Sequence, residues 1–230
     1  MIVKIGFYAL SVVVFLMVIA LLRYAENPKK QIRDYLLIGF FWLIYLLLIS
    51  KAGVLNNFGL PPRVPLLLVF PTVIASIVFT GRKSFRNILE QVPLHLPVFF
   101  TSFRIFVEVL IYGAYLNGVF PQRVTFEGLN YDIFVGLSAL PVGAFLVKKK
   151  LPLQALWLWN IISLMVLAIT VYAFVSTYYF TDHLPSTSKT AFVQFPYLLL
   201  ASVLLPIAVF LHVFSLRQIF MIRLNHARVI

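Results

Sequence analysis

The sequence predicts an all-α integral membrane bundle of seven transmembrane helices. Three observations carry that prediction. The chain is 62% hydrophobic and only 11% charged, where a soluble domain is nearer about 25% charged. Its apolar residues fall into seven runs of the length that crosses a bilayer, about 20 residues each. Its cations also alternate in register with those runs, thirteen lying on one side and five on the other, as the positive-inside rule requires.

The first run, 2–22, is uninterrupted and followed by Arg23, Lys29 and Lys30. It is too long for a signal-peptide core and shows no small-residue cleavage site. The second is 35–50, and Asn56, Asn57, Gly59, Pro61 and Pro62 make a turn-rich connection to the third, 64–80. Pro71 inside the third run predicts a kink, with Thr72 or Ser76 satisfying a freed carbonyl. Beyond Arg82, Lys83 and Arg86, Pro93 and Pro97 are expected to bracket a short interfacial piece and the first turn of the fourth helix, 95–120. The fifth helix is 131–147, the sixth 153–180 and the seventh 191–216. No repeat, low-complexity tract or soluble domain interrupts this single unit, 1–230.

The richer side carries Arg23, Lys29, Lys30, Arg33, Arg82, Lys83, Arg86, Lys148, Lys149, Lys150, Arg217, Arg223 and Arg228. The poorer side carries Lys4, Lys51, Arg63, Arg123 and Lys189. The N-terminus is therefore expected outside and the C-terminus in the cytoplasm. The net charge of +12, which on a soluble chain would suggest nucleic acid, follows from this bias, and no domain exists to bind nucleic acid. The partner implied is membrane lipid.

One cation, Arg104, lies within a span, and Glu108 lies four residues on, one turn along the same helix face. Charges in hydrocarbon cost roughly 2.5–3.5 kcal/mol each on insertion scales, so their presence calls for a reason. Thr101, Tyr112 and Tyr115 extend the polar edge. An ion pair that fixes helix packing is one reading; a binding or proton-handling site is the other. Asp132 opens the fifth helix, either as its cap or with Asn130 in that role. Gly136, Ala139 and Gly143 then follow at a spacing that lets backbones approach closely. Glu127, with Gly128 and Asn130, forms an outer turn expected to lie over the Arg104/Glu108 level. Asn160 and His212 fall at similar depth in the sixth and seventh helices and form an inner polar station. Pro206 is expected to bend the seventh helix.

The chain has no Cys, which excludes disulfides, thiol nucleophiles and Cys-held metals. No HExxH, GxSxG or P-loop pattern occurs, and the histidines lack metal-site spacing. No cofactor or metal is expected. The last helix lacks the lysine of a retinal protein, and the intramembrane histidines are too few for a ceramidase-type zinc hydrolase.

The strings PPR (61–63), SFRIFVE (102–108), VTFEGLNYDIFVGLSALP (124–141), LWN (158–160) and LLPIAVFLHVFSLRQ (204–218) resemble a family of uncharacterised polytopic bacterial membrane proteins, in its Bacteroidetes form. The FEGxNxDIxxGLxA run is the most specific part. The resemblance implies an inner-membrane location and a family pattern that includes Arg104, Glu108, Asp132, Asn160 and His212; it implies no activity.

The expected function is binding or moving a small molecule or a proton, as a transporter or a sensor. Arg104, Glu108, Asp132, Asn160, His212, Glu127 and Tyr112 are the candidate residues. Transport predicts a polar route from the Glu108/Asp132 level to the Asn160/His212 level, and a sensor predicts a closed inner end. The alternatives are an intramembrane enzyme using Glu108, Asp132 or His212 as acid or base, and a structural subunit in which Arg104 and Glu108 only set helix register.

Overall fold

The computed structural model describes residues 1–181 and 184–227. Arg228 of the cation tally and part of the polar loop before the last helix lie outside these. Among the described residues the fold is all-helical, with no strand. The helices are α1 (Ile2–Leu22), α2 (Pro28–Lys51), α3 (Pro65–Gly81), α4 (Lys83–Gln91), α5 (His95–Leu116), α6 (Asp132–Val147), α7 (Leu153–Tyr179), α8 (Ser186–Phe192) and α9, which begins at Leu200–Leu204 and runs on as Leu205–Ala227. Five of them, α1, α2, α5, α7 and α9, are long and apolar enough to cross a membrane. The bent pair α3–α4 makes a sixth if counted as one span, and α6 is apolar but shorter.

Several ends differ from the apolar runs, each for a local reason. Helix α2 starts at Pro28 rather than 35, because proline suits the first helical turn and the charged residues after it remain helical. Helix α5 stops at Leu116 rather than 120. Gly118 takes φ +69° there, its N–H bonds the Tyr115 carbonyl, and Val119 N–H bonds the Ala114 carbonyl, the Schellman arrangement that closes a helix. The run 191–216 is not one helix. Pro196 has no N–H to donate and restricts Phe195, so the helix starts only at Leu200. It then continues well past 216, with Gln218 and Ile219 buried.

The short helix of this stretch lies before Pro93, not between Pro93 and Pro97. It is α4, which turns 80° from α3 and buries Phe85, Ile88 and Leu89 on one face. Gln218 Nε2 donates to the carbonyls of Leu89 (3.0 Å) and Val92 (2.7 Å), tying α4 to α9. Arg217 donates to the Ile77 carbonyl (3.1 Å). The ends of α3, α4 and α9 that carry Arg82, Lys83 and Arg217 therefore meet at one basic end of the bundle.

Two helices open on π-helical turns, Pro65–Val69 in α3 and Leu200–Leu204 in α9. Prolines follow both. Pro71 cannot bond the Leu67 carbonyl and Pro206 cannot bond the Ser202 carbonyl. Helix α2 supplies both missing donors: Tyr45 OH donates to Leu67 O (3.3 Å) and Trp42 Nε1 to Ser202 O (3.0 Å). Thr72 Oγ bonds Leu68 O and Val69 O, both at 2.8 Å. With no water in hydrocarbon, such internal donors are what make the broken helices tolerable.

Candidate functional site: a buried polar chain

Helices α5, α6, α7 and α9 enclose a connected set of polar side chains. Arg104, Glu108, Asp132, Asn160 and His212 are all buried. Helices α5 and α6 approach closely because Gly136 faces the α5 backbone: a Cβ there would lie 2.8 Å from Ile105 N. This brings Asp132, one turn earlier on α6, against Arg104.

Arg104 pairs with Asp132, through Nε to Oδ2 (2.6 Å) and Nη2 to Oδ1. The fork-to-fork geometry is the strongest form of this pair. The i,i+4 ion pair between Arg104 and Glu108 is not made: among the described residues Glu108 has no cation within 4.0 Å. The long guanidinium stem reaches across to α6 instead of along its own helix. Arg104 Nη1 also donates to His212 Nε2 (3.0 Å).

His212 is therefore an acceptor at Nε2, since guanidinium can only donate. Its proton sits on Nδ1 and is donated to Asn160 Oδ1 (2.9 Å). Asn160 Nδ2 donates to the Leu156 carbonyl (2.9 Å) and to Ser215 Oγ (3.1 Å). Trp159 packs beside His212, with ring centroids 5.5 Å apart.

Glu108 joins the chain through Asn130. Asn130 Nδ2 donates to both Glu108 oxygens (2.8 Å each) and to Val124 O (3.1 Å). Its Oδ1 accepts from Asp132 N–H (3.1 Å) and Thr170 Oγ (2.8 Å). These partners fix which way the amide faces. The N-cap position of α6 is Tyr131, neither of the two capping candidates; the Asn130 side chain, one residue earlier, covers the first N–H of α6, and the Asp132 carboxylate is left for Arg104. The sequence placed Asn130 in the outer turn or as the cap of the fifth helix, not against Glu108, and missed Thr170, whose one signal was a polar residue inside an apolar helix.

Glu127 and Tyr112 stand apart from this chain. Tyr112 OH donates to Glu127 Oε1 (2.9 Å), Gln122 Nε2 donates to Glu127 Oε2 (3.1 Å), and Tyr112 stacks on Phe126. This exposed cluster ties α5 to the 122–127 turn and does not touch the buried carboxylates. His95 lies beside Phe99, and Thr101 bonds its own helix at Pro97 O; neither joins the chain. Among the described residues no group of three His, Asp or Glu could hold a metal.

Glu108, Thr170, Arg104 and Asp132 border a cavity of about 60 Å³ whose other walls are apolar, among them Phe174, Leu204 and Ala208. Both π-helical turns contribute to it, through Pro65, Val69, Leu200 and Ala201. Such turns recur at functional sites. A water needs about 10–15 Å³ of such space and two to four polar partners, which the cavity offers at the end that Glu108, Arg104, Asp132 and Thr170 border. No protein-family model, curated protein or solved structure matches the chain.

Proposed function

We propose that this chain is a seven-pass bacterial inner-membrane protein whose core binds a proton at Glu108, in the manner of a proton-coupled transporter or a proton sensor. The seven passes are the five long helices, α3 and α6. The cation distribution supports an outside N-terminus and a cytoplasmic C-terminus, and the meeting of Arg82, Lys83 and Arg217 at one end of the bundle agrees with it.

The observation that carries the reading is the electrostatic inequality of the two carboxylates. Asp132 is neutralised by Arg104, whereas Glu108 is fully buried and, among the described residues, has the Asn130 amide as its only donor. An anion so placed, with no cation within 4.0 Å among the described residues, is costly. A proton would relieve that cost, and the part of the cavity that Glu108 borders has room for water to deliver it. A merely structural pair would need no cavity beside its carboxyl group.

The chain from Glu108 through Asn130, Asp132, Arg104, His212 and Asn160 to Ser215 spans the two polar levels, as transport asks. Gln218, one turn beyond Ser215, ties α4 to α9 at the basic end, which supports the closed end a sensor asks for. A pH jump on purified protein with an indicator dye, followed by flux in liposomes, separates them. The expectation is about one fewer proton taken up per chain in Glu108→Gln than in the unmodified protein. Flux abolished by the same change makes the protein a transporter; uptake without flux makes it a sensor. Equal uptake in both proteins overturns the proposal.

A further inference from the structure

Helix α2 touches the bundle through Tyr35 stacked on Phe15 and through the Trp42 and Tyr45 bonds to Ser202 O and Leu67 O. Of its 24 residues only Leu46 and Ile49 are buried, and between it and α1, α3 and α9 runs a groove of about 1570 Å³. Along α2 the groove extends from Lys30 to Leu46, roughly 24 Å at about 1.5 Å per residue. One leaflet is about half of a hydrocarbon core of roughly 30 Å, so the groove is longer than a leaflet is deep.

Its walls favour a hydrocarbon occupant. Phe15, Leu37, Phe41, Phe79, Val203 and Ile207 line it. The wall hydroxyls of Ser11, Thr72, Ser76 and Ser202 are taken up by carbonyls four residues earlier in the chain, and the Trp42 indole N–H by Ser202 O. A gap of this kind inside a bilayer must be filled by something apolar, because water gains no partners there.

Charge is concentrated at one end. Lys30 and Arg82 line the basic mouth with Gln31 and Ser84. Asp34 also borders it, but Arg33 holds its carboxylate (2.8 Å). Arg82 lies over the Phe79 ring at 4.4 Å, and among the described residues neither Lys30 nor Arg82 has an acidic partner. A long apolar trough ending in two unpaired cations is complementary to a lipid with a negative headgroup.

We infer that this groove is a specific site for an anionic glycerophospholipid, its acyl chains lying between α2 and the bundle and its phosphate held by Lys30 and Arg82. The inference is independent of the proton reading: its residues lie outside the buried chain.

The test is lipid binding by native mass spectrometry and by thermal denaturation in detergent, comparing phosphatidylglycerol with phosphatidylcholine of the same acyl chains. Phosphatidylglycerol should bind more strongly and raise the melting temperature more, as a ligand of the folded state must. In the Lys30→Gln/Arg82→Gln double variant its affinity should fall roughly tenfold or more. Lys29→Gln/Lys83→Gln removes the same charge from neighbouring positions that do not line the groove, and should leave binding nearly unchanged. Equal binding of the two lipids overturns the site, as does equal loss in both double variants, which would mean a diffuse surface charge. A lipid-free dimer in which a second copy fills the groove overturns it too.

Discussion

Arg104 Nη1 donates to His212 Nε2 at 3.0 Å, so a permanently protonated donor fixes the tautomer of a buried imidazole. The Nδ1–H that results is held by Asn160 Oδ1 at 2.9 Å. Nitrogen-15 NMR of imidazole-labelled protein should show one histidine locked as the Nδ1–H tautomer, and Asn160→Leu should release or broaden that signal. An Nε2–H signal for His212 would contradict the arrangement.

The two buried carboxylates should respond differently to mutation. Arg104→Leu or Asp132→Leu leaves the partner charge buried and unpaired, a loss of about 3–5 kcal/mol. Removing both should cost much less than the sum, because the partners share one interaction. Glu108→Gln keeps the shape and an acceptor for Asn130, and should change stability by no more than about 1 kcal/mol. Denaturation in mixed micelles measures all four. A Glu108→Gln loss as large as that of Asp132→Leu would make Glu108 a structural anion.

Five residues of the buried chain, Arg104, Glu108, Asp132, Asn160 and His212, were legible because each lies within or at the start of an apolar run, where a polar group needs a reason. Their pairing was not. Helical spacing puts Glu108 next to Arg104, but a guanidinium on a long stem can reach another helix, and Asp132 offers it two oxygens across the contact that Gly136 permits. Glu127 and Tyr112 share composition with the site but meet each other at the surface. The outer turn was expected over the Arg104/Glu108 level, but residue spacing did not say which of its side chains meets Glu108; it is Asn130 and not Glu127. Hydropathy found the middles of the helices; their ends were set by short-range chemistry at Pro28, Gly118 and Pro196.

Gly136 carries the close approach of α5 and α6, so Gly136→Ala should be costly for a single methyl group. The added carbon would fall 2.8 Å from Ile105 N, which is backbone and cannot rotate away. Overpacking of this kind costs about 1–3 kcal/mol, and here it also pushes Asp132 from Arg104. Gly118→Ala meets no neighbour within 4 Å and is strained only by φ +69°; its cost should be about 1 kcal/mol. Thermal denaturation of the two variants should rank Gly136→Ala as the more damaging. The reverse order would place the critical contact elsewhere.

Trp42 illustrates how the broken helices are held, and allows a rescue experiment. Its indole N–H supplies the Ser202 carbonyl (3.0 Å) with the donor that Pro206 lacks. Trp42→Phe removes that donor inside the membrane, and interhelical hydrogen bonds there average about 0.6 kcal/mol and reach about 1.7. An orphaned carbonyl on an already broken helix should lie toward the upper figure. Pro206→Ala restores an N–H four residues after Ser202, so the helix can satisfy that carbonyl itself. In the Pro206→Ala background Trp42→Phe should then lose only packing, and the difference between backgrounds isolates the hydrogen bond. If Trp42→Phe costs the same with and without the proline, the indole serves by its bulk and its stacking on Tyr45, and the carbonyl has another source of satisfaction.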